Sequence, residues 1–168
     1  CRAFHRWGTA HLASMPRVVA VGGGTAHITP HEHPDGTPGS REDEFTTATV
    51  EVLDLSTMRW SSGGPVPPLP TARSDHALCS FGNGRVVVAG GGYRGRISRV
   101  PRIIAARDRL RTSAMVWSPG DVGWKPLPAL TAGRHAPAAA ALPDGRAFLC
   151  GGWHEGKPQT TVDALAAA

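Results

Sequence analysis

An all-β fold of repeated antiparallel units is what this chain predicts, and three observations carry the prediction. Glycine and proline, 21 and 15 residues, make up about a fifth of the 168 residues, so almost no window is long enough for a helix without a breaker. Three short apolar runs end in consecutive glycines: Arg17-Val18-Val19-Ala20-Val21-Gly22, Arg85-Val86-Val87-Val88-Ala89-Gly90 and Arg146-Ala147-Phe148-Leu149-Cys150-Gly151. The second and third follow Asn83-Gly84 and Asp144-Gly145, dipeptides that favour hairpin turns because both residues tolerate positive φ. Hydrophobic residues reach 40%, enough to pack a core in a chain of about one domain's length. The longest near-apolar stretch, residues 136–142, is far below the ~20 residues of a membrane-spanning helix. Membrane helices, coiled coils and helical bundles are excluded.

The elements follow in order within a repeating unit. In the first copy, residues 10–15 and 17–21 form a hairpin around Met15-Pro16. In the second, residues 75–81 pair with 85–89, and in the third, residues 135–142 pair with 146–150. A further strand follows each double glycine after a variable connection. Thr49-Val50-Glu51-Val52-Leu53-Asp54-Leu55 alternates apolar and polar residues, as a half-buried strand does. Residues 113–118 and 161–165 are its counterparts. A turn then leads to Trp60 or Trp124, and a proline-rich link (residues 65–70 or 126–130) delivers the chain to Arg73 or Arg134. Gly22, Gly90 and Gly151 are spaced by 68 and 61 residues. Four antiparallel strands per unit make one blade of a β-propeller.

The net charge of +5 is local. Residues 93–111 hold seven arginines and one acid, Asp108, a net +6, which leaves −1 for the remainder. Such a segment attracts phosphates or an acidic partner, although Tyr93 is its one aromatic, so stacking support for nucleic acid is poor. Its arginine bias and lack of alternation also fit a misassembled insert. Cys1, Cys79 and Cys150 have no metal-like spacing, and the last two lie in apolar runs as small buried hydrophobes. No basic-then-apolar signal pattern opens the chain. It starts at Cys1 rather than Met, reads as a piece or processed form, and leaves the compartment illegible, with the cytoplasm slightly favoured.

These residues resemble the kelch repeat, which is marked by a double glycine after its second strand, a Tyr and a Trp beyond it, and Asp-Gly between strands one and two. Gly22-Gly23, Gly90-Gly91 and Gly151-Gly152 match, as do Asn83-Gly84, Asp144-Gly145, Trp60 and Trp124. The family's Tyr position is Leu53 in one unit and Trp117 in the next. The resemblance covers most of the chain and implies one incomplete kelch propeller over residues 1–168. Its repeats span about residues 2–61, 73–125 and 134–168, the last truncated, with insertions at 24–47 and 93–112 read as enlarged loops. The glycines let neighbouring blades approach, Trp60 and Trp124 pack between blades, and Arg73 and Arg134 bond carbonyls or acids between them. About two and a half blades leave open sheet edges. Further blades or self-association are needed to close a ring.

The resemblance implies a protein-interaction scaffold that binds an acidic protein partner through loops on one propeller face. The residues assigned to that contact are Tyr93, Arg94, Arg96, Arg99 and Arg102, with nucleic acid and membrane set aside. The alternative is a fragment of a secreted galactose-oxidase-like or sugar-modifying kelch enzyme. That branch uses a copper centre of two Tyr, two His and a Cys cross-linked to one Tyr, which a chain with one tyrosine does not assemble. No catalytic residue or cofactor is assigned. The insertion at 24–45 carries His27, His31, Glu32, His33 and Asp35, and the three histidines are the metal-ligand candidates. Pro30 and Pro34 rule out a helix there, His-Glu-x-x-His is absent, and the segment reads as a polar loop.

Overall fold

The structure is a computed structural model that describes residues 17–93 and 110–166. Twelve strands appear among them: β1 (Arg17–Glu32), β2 (Pro38–Asp54), β3 (Arg59–Ser61), β4 (Ala77–Ser80), β5 (Val86–Ala89), β6 (Ala114–Trp117), β7 (Lys125–Leu127), β8 (Ala138–Ala141), β9 (Arg146–Cys150), β10 (Trp153–His154), β11 (Lys157–Pro158) and β12 (Val162–Ala166). No helix occurs among the described residues, so the fold is all-β, with antiparallel pairing throughout. The second unit is a four-stranded sheet, β4-β5-β6-β7. The first shows β1-β2-β3, the third shows β12-β9-β8, and β10-β11 is a small separate ribbon. None of these sheets closes on itself. The first copy's leading strand (10–15) and the Met15-Pro16 turn lie outside the described residues, as does Cys1.

The hairpin signals hold, with a different turn geometry. The Gly84 N–H donates to Phe81 O and the Phe81 N–H to Arg85 O, while Asn83 Oδ1 accepts the Arg85 N–H at 3.2 Å. Leu142, Asp144 and Arg146 repeat this, with Asp144 Oδ1 accepting the Arg146 N–H at 3.0 Å. Only the glycine of each pair has positive φ. This is a type I turn closed by a left-handed glycine, so the preceding Asn or Asp acts by its side-chain acceptor and not by its own φ.

Two cores hold three units face to face. Val21 and Val50 of the first unit pack with Val86, Val88, Met115 and Trp117 of the second, and Val66 and Leu69 of the proline-rich link fill the seam. The opposite face of the second unit, including Cys79, Val87, Ala89 and Val116, packs on Ala147, Leu149 and Leu165 of the third, with Leu130 of the next link between them. Strand alternation explains how one sheet serves two cores, since odd and even positions face opposite sides. β5 and β6 are buried at every position. Each large side chain so buried contributes on the order of 1.5–3 kcal/mol.

The glycines seat the joint between units. A Cβ on Gly22 would lie 2.8 Å from Arg73 O, and one on Gly90 would lie 2.8 Å from Arg134 O. The following N–H of Gly23 or Gly91 donates to that same carbonyl, at 2.9 and 2.8 Å. The bond between units is therefore made by the arginine main chain. The guanidinium works inside its own unit, which corrects the expectation that it spans units. Arg73 Nη1 donates to Gly90 O and Ser113 O, and Nη2 to Thr71 Oγ1 and Ser113 Oγ. Arg134 repeats the first pair with Gly151 O and Thr161 O, then adds an ion pair to Asp163 at 2.7 Å. Asp163 also accepts the Thr131 N–H at 3.0 Å. The matching position in the second unit is Met115, and the matching link residue is Pro70, which has no N–H to offer a carboxylate. Both arginines have no solvent exposure.

Trp124 meets its expectation, since its Nε1–H donates 2.9 Å to Pro67 O of the preceding link and its ring lies on the core between the first two units. Trp60 does not: it is 52% exposed on the outer side of the first unit. The described residues place no unit against that side. Cys79 is buried as expected, and burial pushes its thiol up to about 11. Cys150 is exposed, because alternation turns it to the outer face of the third unit.

Two outcomes test the joint. Gly90→Ala places a methyl against Arg134 O at positive φ, and should lower unfolding stability by at least about 2 kcal/mol in urea. Asp163→Ala leaves Arg134 buried without its counter-charge and should destabilise by about 3–5 kcal/mol. Adding Arg134→Met to Asp163→Ala should recover most of that loss if the uncompensated charge causes it.

Candidate interaction surface

Each unit's second strand ends in the double glycine, and the chain leaves the stack there before returning as the third strand. Since β1, β5 and β9 hold equivalent places in stacked units, their three connections emerge at one end. They differ in length and chemistry, while the sheets beneath them repeat.

The first connection is an extension of the sheet and not a loop. β1 and β2 stay paired past a bulge at Val21/Gly23, from Gly24↔Thr46 out to Glu32↔Pro38. This overturns the reading of residues 24–47 as an irregular insertion. Pro30 sits opposite Ser40 in this ribbon, and a two-stranded ribbon tolerates proline because each strand is an edge. The tip is His33-Pro34-Asp35-Gly36-Thr37. The His33 N–H donates to Thr37 O and the Gly36 N–H to His33 O, each at 2.9 Å. Asp35 Oδ1 accepts the Thr37 N–H and hydroxyl, which hold its carboxyl below the ordinary value. Asp35-Gly36 is the same hairpin signal that marks the other units, and reading it as one would have revealed the ribbon. His27 lies opposite Asp43 in the register and His31 opposite Gly39, while His33 is exposed at the tip. Among the described residues no three His, Cys, Asp or Glu side chains form a group able to hold a metal ion.

The second connection leaves at Tyr93, which is exposed, and re-enters at Leu110 and Arg111, where the Arg111 N–H donates 2.9 Å to Gly91 O. Arg94, Arg96, Arg99 and Arg102 lie outside the described residues. The third connection is the β10-β11 hairpin, turning at Glu155-Gly156. Trp153 is exposed on it, and His154 Nδ1 bonds to Gly133 O, which ties this ribbon to the start of its own unit. Trp153 and the hairpin tip were missed in the sequence reading because they fall after the motif that defines the unit.

Beneath the first two connections the end is electropositive. Arg111 Nη2 donates to Ala72 O at 3.3 Å. Burial first, and the Arg111 charge second, bring Arg73 down to about 10. His76 lies against Gly22 and Gly91. Burial and then Arg73 depress its basicity, while hydrogen bonding with the Val21 and Arg73 backbone and the Asp75 charge oppose them. A comparison with protein-family models and with curated proteins finds no match for this chain.

His76 gives a pH prediction. Its folded-state pKa lies below the ordinary 6.5, so the unfolded chain binds more protons between the two values and stability rises with pH there. The contribution is complete above 6.5 and is lost as pH falls through the folded value. Urea midpoints should therefore drop between about pH 7.5 and about pH 5, and His76→Gln should reduce that drop.

Proposed function

We propose that this chain is a kelch-type propeller scaffold that binds an acidic protein partner through the end where its three connections converge. One observation supports it above the others. Three repeated units deliver three unlike connections to one end, and the first is an ordered β-ribbon extending well past the last core residues of its sheet. A repeating scaffold that carries variable segments on one face is a common way to build a recognition surface. The sequence of the second connection, which leaves at Tyr93 and re-enters at Arg111, is rich in arginine and supplies positive charge. An acidic partner would be drawn by that charge and oriented by the ribbon and by exposed Tyr93 and Trp153. In this reading Tyr93, Arg94, Arg96, Arg99 and Arg102 contact the partner, and the double glycines, Arg73, Arg134 and the tryptophans hold the scaffold.

Replacing Arg94, Arg96, Arg99 and Arg102 together by Ser tests the charge. Partner capture from source cells at low salt should fall at least about tenfold, with unfolding stability unchanged. Shortening the ribbon to its Gly24↔Thr46 pair should also weaken capture, with no change in salt dependence. Undiminished capture by both variants would overturn the reading.

A further inference from the structure

The two joints of the stack are built alike except at one side chain. Around the Cβ position of Gly90 the nearest atoms are Arg134 O at 2.8 Å, Leu130 Cδ1 at 3.4 Å and Arg134 Cγ at 3.7 Å. Around that of Gly22 they are Arg73 O at 2.8 Å, His76 Cε1 at 3.1 Å and Leu69 Cδ1 at 3.2 Å. Carbonyl and leucine correspond, and an imidazole is added. The counterpart of His76 in the third unit is Pro137. Gly91 approaches Ser74 O and the Cα and Cβ of His76, and Gly152 approaches His135 O and the N and Cα of Pro137. Among the described residues, the first joint therefore has a titratable ring set into it where the second has none.

A neutral imidazole suits this place and an imidazolium does not. His76 Nδ1 is buried and has no hydrogen-bond partner. A neutral ring can carry its proton on the other nitrogen, whereas a charged ring has an N–H at both. The carbonyls within reach of the ring belong to Val21 and Arg73, and Arg73 O already accepts the Gly23 N–H across the joint at 2.9 Å. A proton gained by the ring therefore competes for the bond that joins the units. It also adds a second cation beside Arg73, which bonds neutral oxygens only among its described partners.

The surroundings do little to offset that charge. Asp75 attracts it, but Asp75 is exposed, where water and salt screen the attraction. Arg111, bonded to Ala72 O, stands beside Arg73 and adds to the positive side. The parts of the first unit and its link at the joint, Val21, Gly22, Gly23 and Leu69, carry no titratable side chain. The third unit reaches this corner through the Ala136 N–H, which donates to Asp75 O at 2.7 Å, and its neighbouring His135 exchanges main-chain bonds with Trp153.

We propose that His76 is a proton-operated latch on the first joint. Taking up a proton drives the ring toward solvent and breaks the bond from the Gly23 N–H to Arg73 O, so acid loosens the first unit and the ribbon it carries while the second joint stays closed. This is more than a loss of overall stability, since the acid-sensitive opening belongs to one of two otherwise matching joints. It is independent of the partner reading, and its failure would leave that reading untouched.

Amide hydrogen exchange of the 168-residue chain, read residue by residue by NMR and corrected for the intrinsic rate at each pH, tests this. Gly23 and Gly91 are matched reporters, because their N–H groups close the two joints. Between about pH 7.5 and about pH 5.5 the protection of Gly23 should fall at least about threefold more than that of Gly91. His76→Gln, which does not titrate, should remove the difference. Parallel loss at both glycines, or a difference that persists in His76→Gln, would overturn the proposal. A third reading needs no variant. The extra loss at Gly23 should be complete once the His76 Cε1–H signal of the wild-type chain has titrated, and a loss that continues to grow below that pH would overturn the proposal too.

Discussion

The stack depends on a close approach of backbone to backbone. At two joints a glycine in the left-handed region allows an arginine carbonyl to come within 2.8 Å of where its Cβ would stand, and the next glycine N–H bonds that carbonyl. A side chain at either place would hold the sheets apart and open the cores on both sides of the second unit. The same arginine then turns its guanidinium back to the carbonyls and hydroxyls of its own unit. One residue thus connects neighbouring units by its main chain and ties strands two and three by its side chain. This explains why an arginine stands at a position with no solvent exposure.

The two arginines balance their charge differently. Arg134 has Asp163, and Asp163 in turn accepts a link N–H. Arg73 has neutral oxygens only among its described partners, at the one link position where proline removes the N–H. Thr161 Oγ1 on Arg134 matches Ser113 Oγ on Arg73, so the exchange is of Asp163 for the Thr71 hydroxyl; it keeps both Nη groups of Arg73 bonded but leaves a buried positive charge beside Arg111. Arg73 and Arg111 therefore place two positive charges close together where the second connection re-enters the second unit. Their field acts on ligands at the end rather than on the fold itself.

The rigid stack and its variable end divide the labour. Buried side chains on both faces of β5 and β6 pack the middle unit against both of its neighbours, and the ribbon of β1 and β2 grows directly from the neighbouring sheet. A ribbon continuous with a sheet inherits its direction, which an irregular loop would not. Its tip is closed by Asp35 and Thr37 bonds that need no contact with the remainder of the chain.

Much of this was legible in the residues alone. The repeat of an arginine, an apolar run and two glycines located the second strands, Asn83-Gly84 and Asp144-Gly145 located the hairpins, and alternation located the third strands, because strand period and turn chemistry are local properties. The tertiary structure decided what depends on neighbours. It decided that residues 24–46 pair as a ribbon, since two polar segments become strands only when a sheet holds their ends in register. It decided that Trp124 is partly buried and Trp60 is exposed, although both follow the same turn, because among the described residues Trp124 has a link carbonyl, Pro67 O, to accept its N–H and a neighbouring sheet to lie on. It decided that Cys79 is enclosed and Cys150 is open, because both lie on the same face of their sheets and that face is buried only where another sheet lies against it. Local pattern specifies which face of a strand is apolar, whereas burial is a property of the pair of faces that meet.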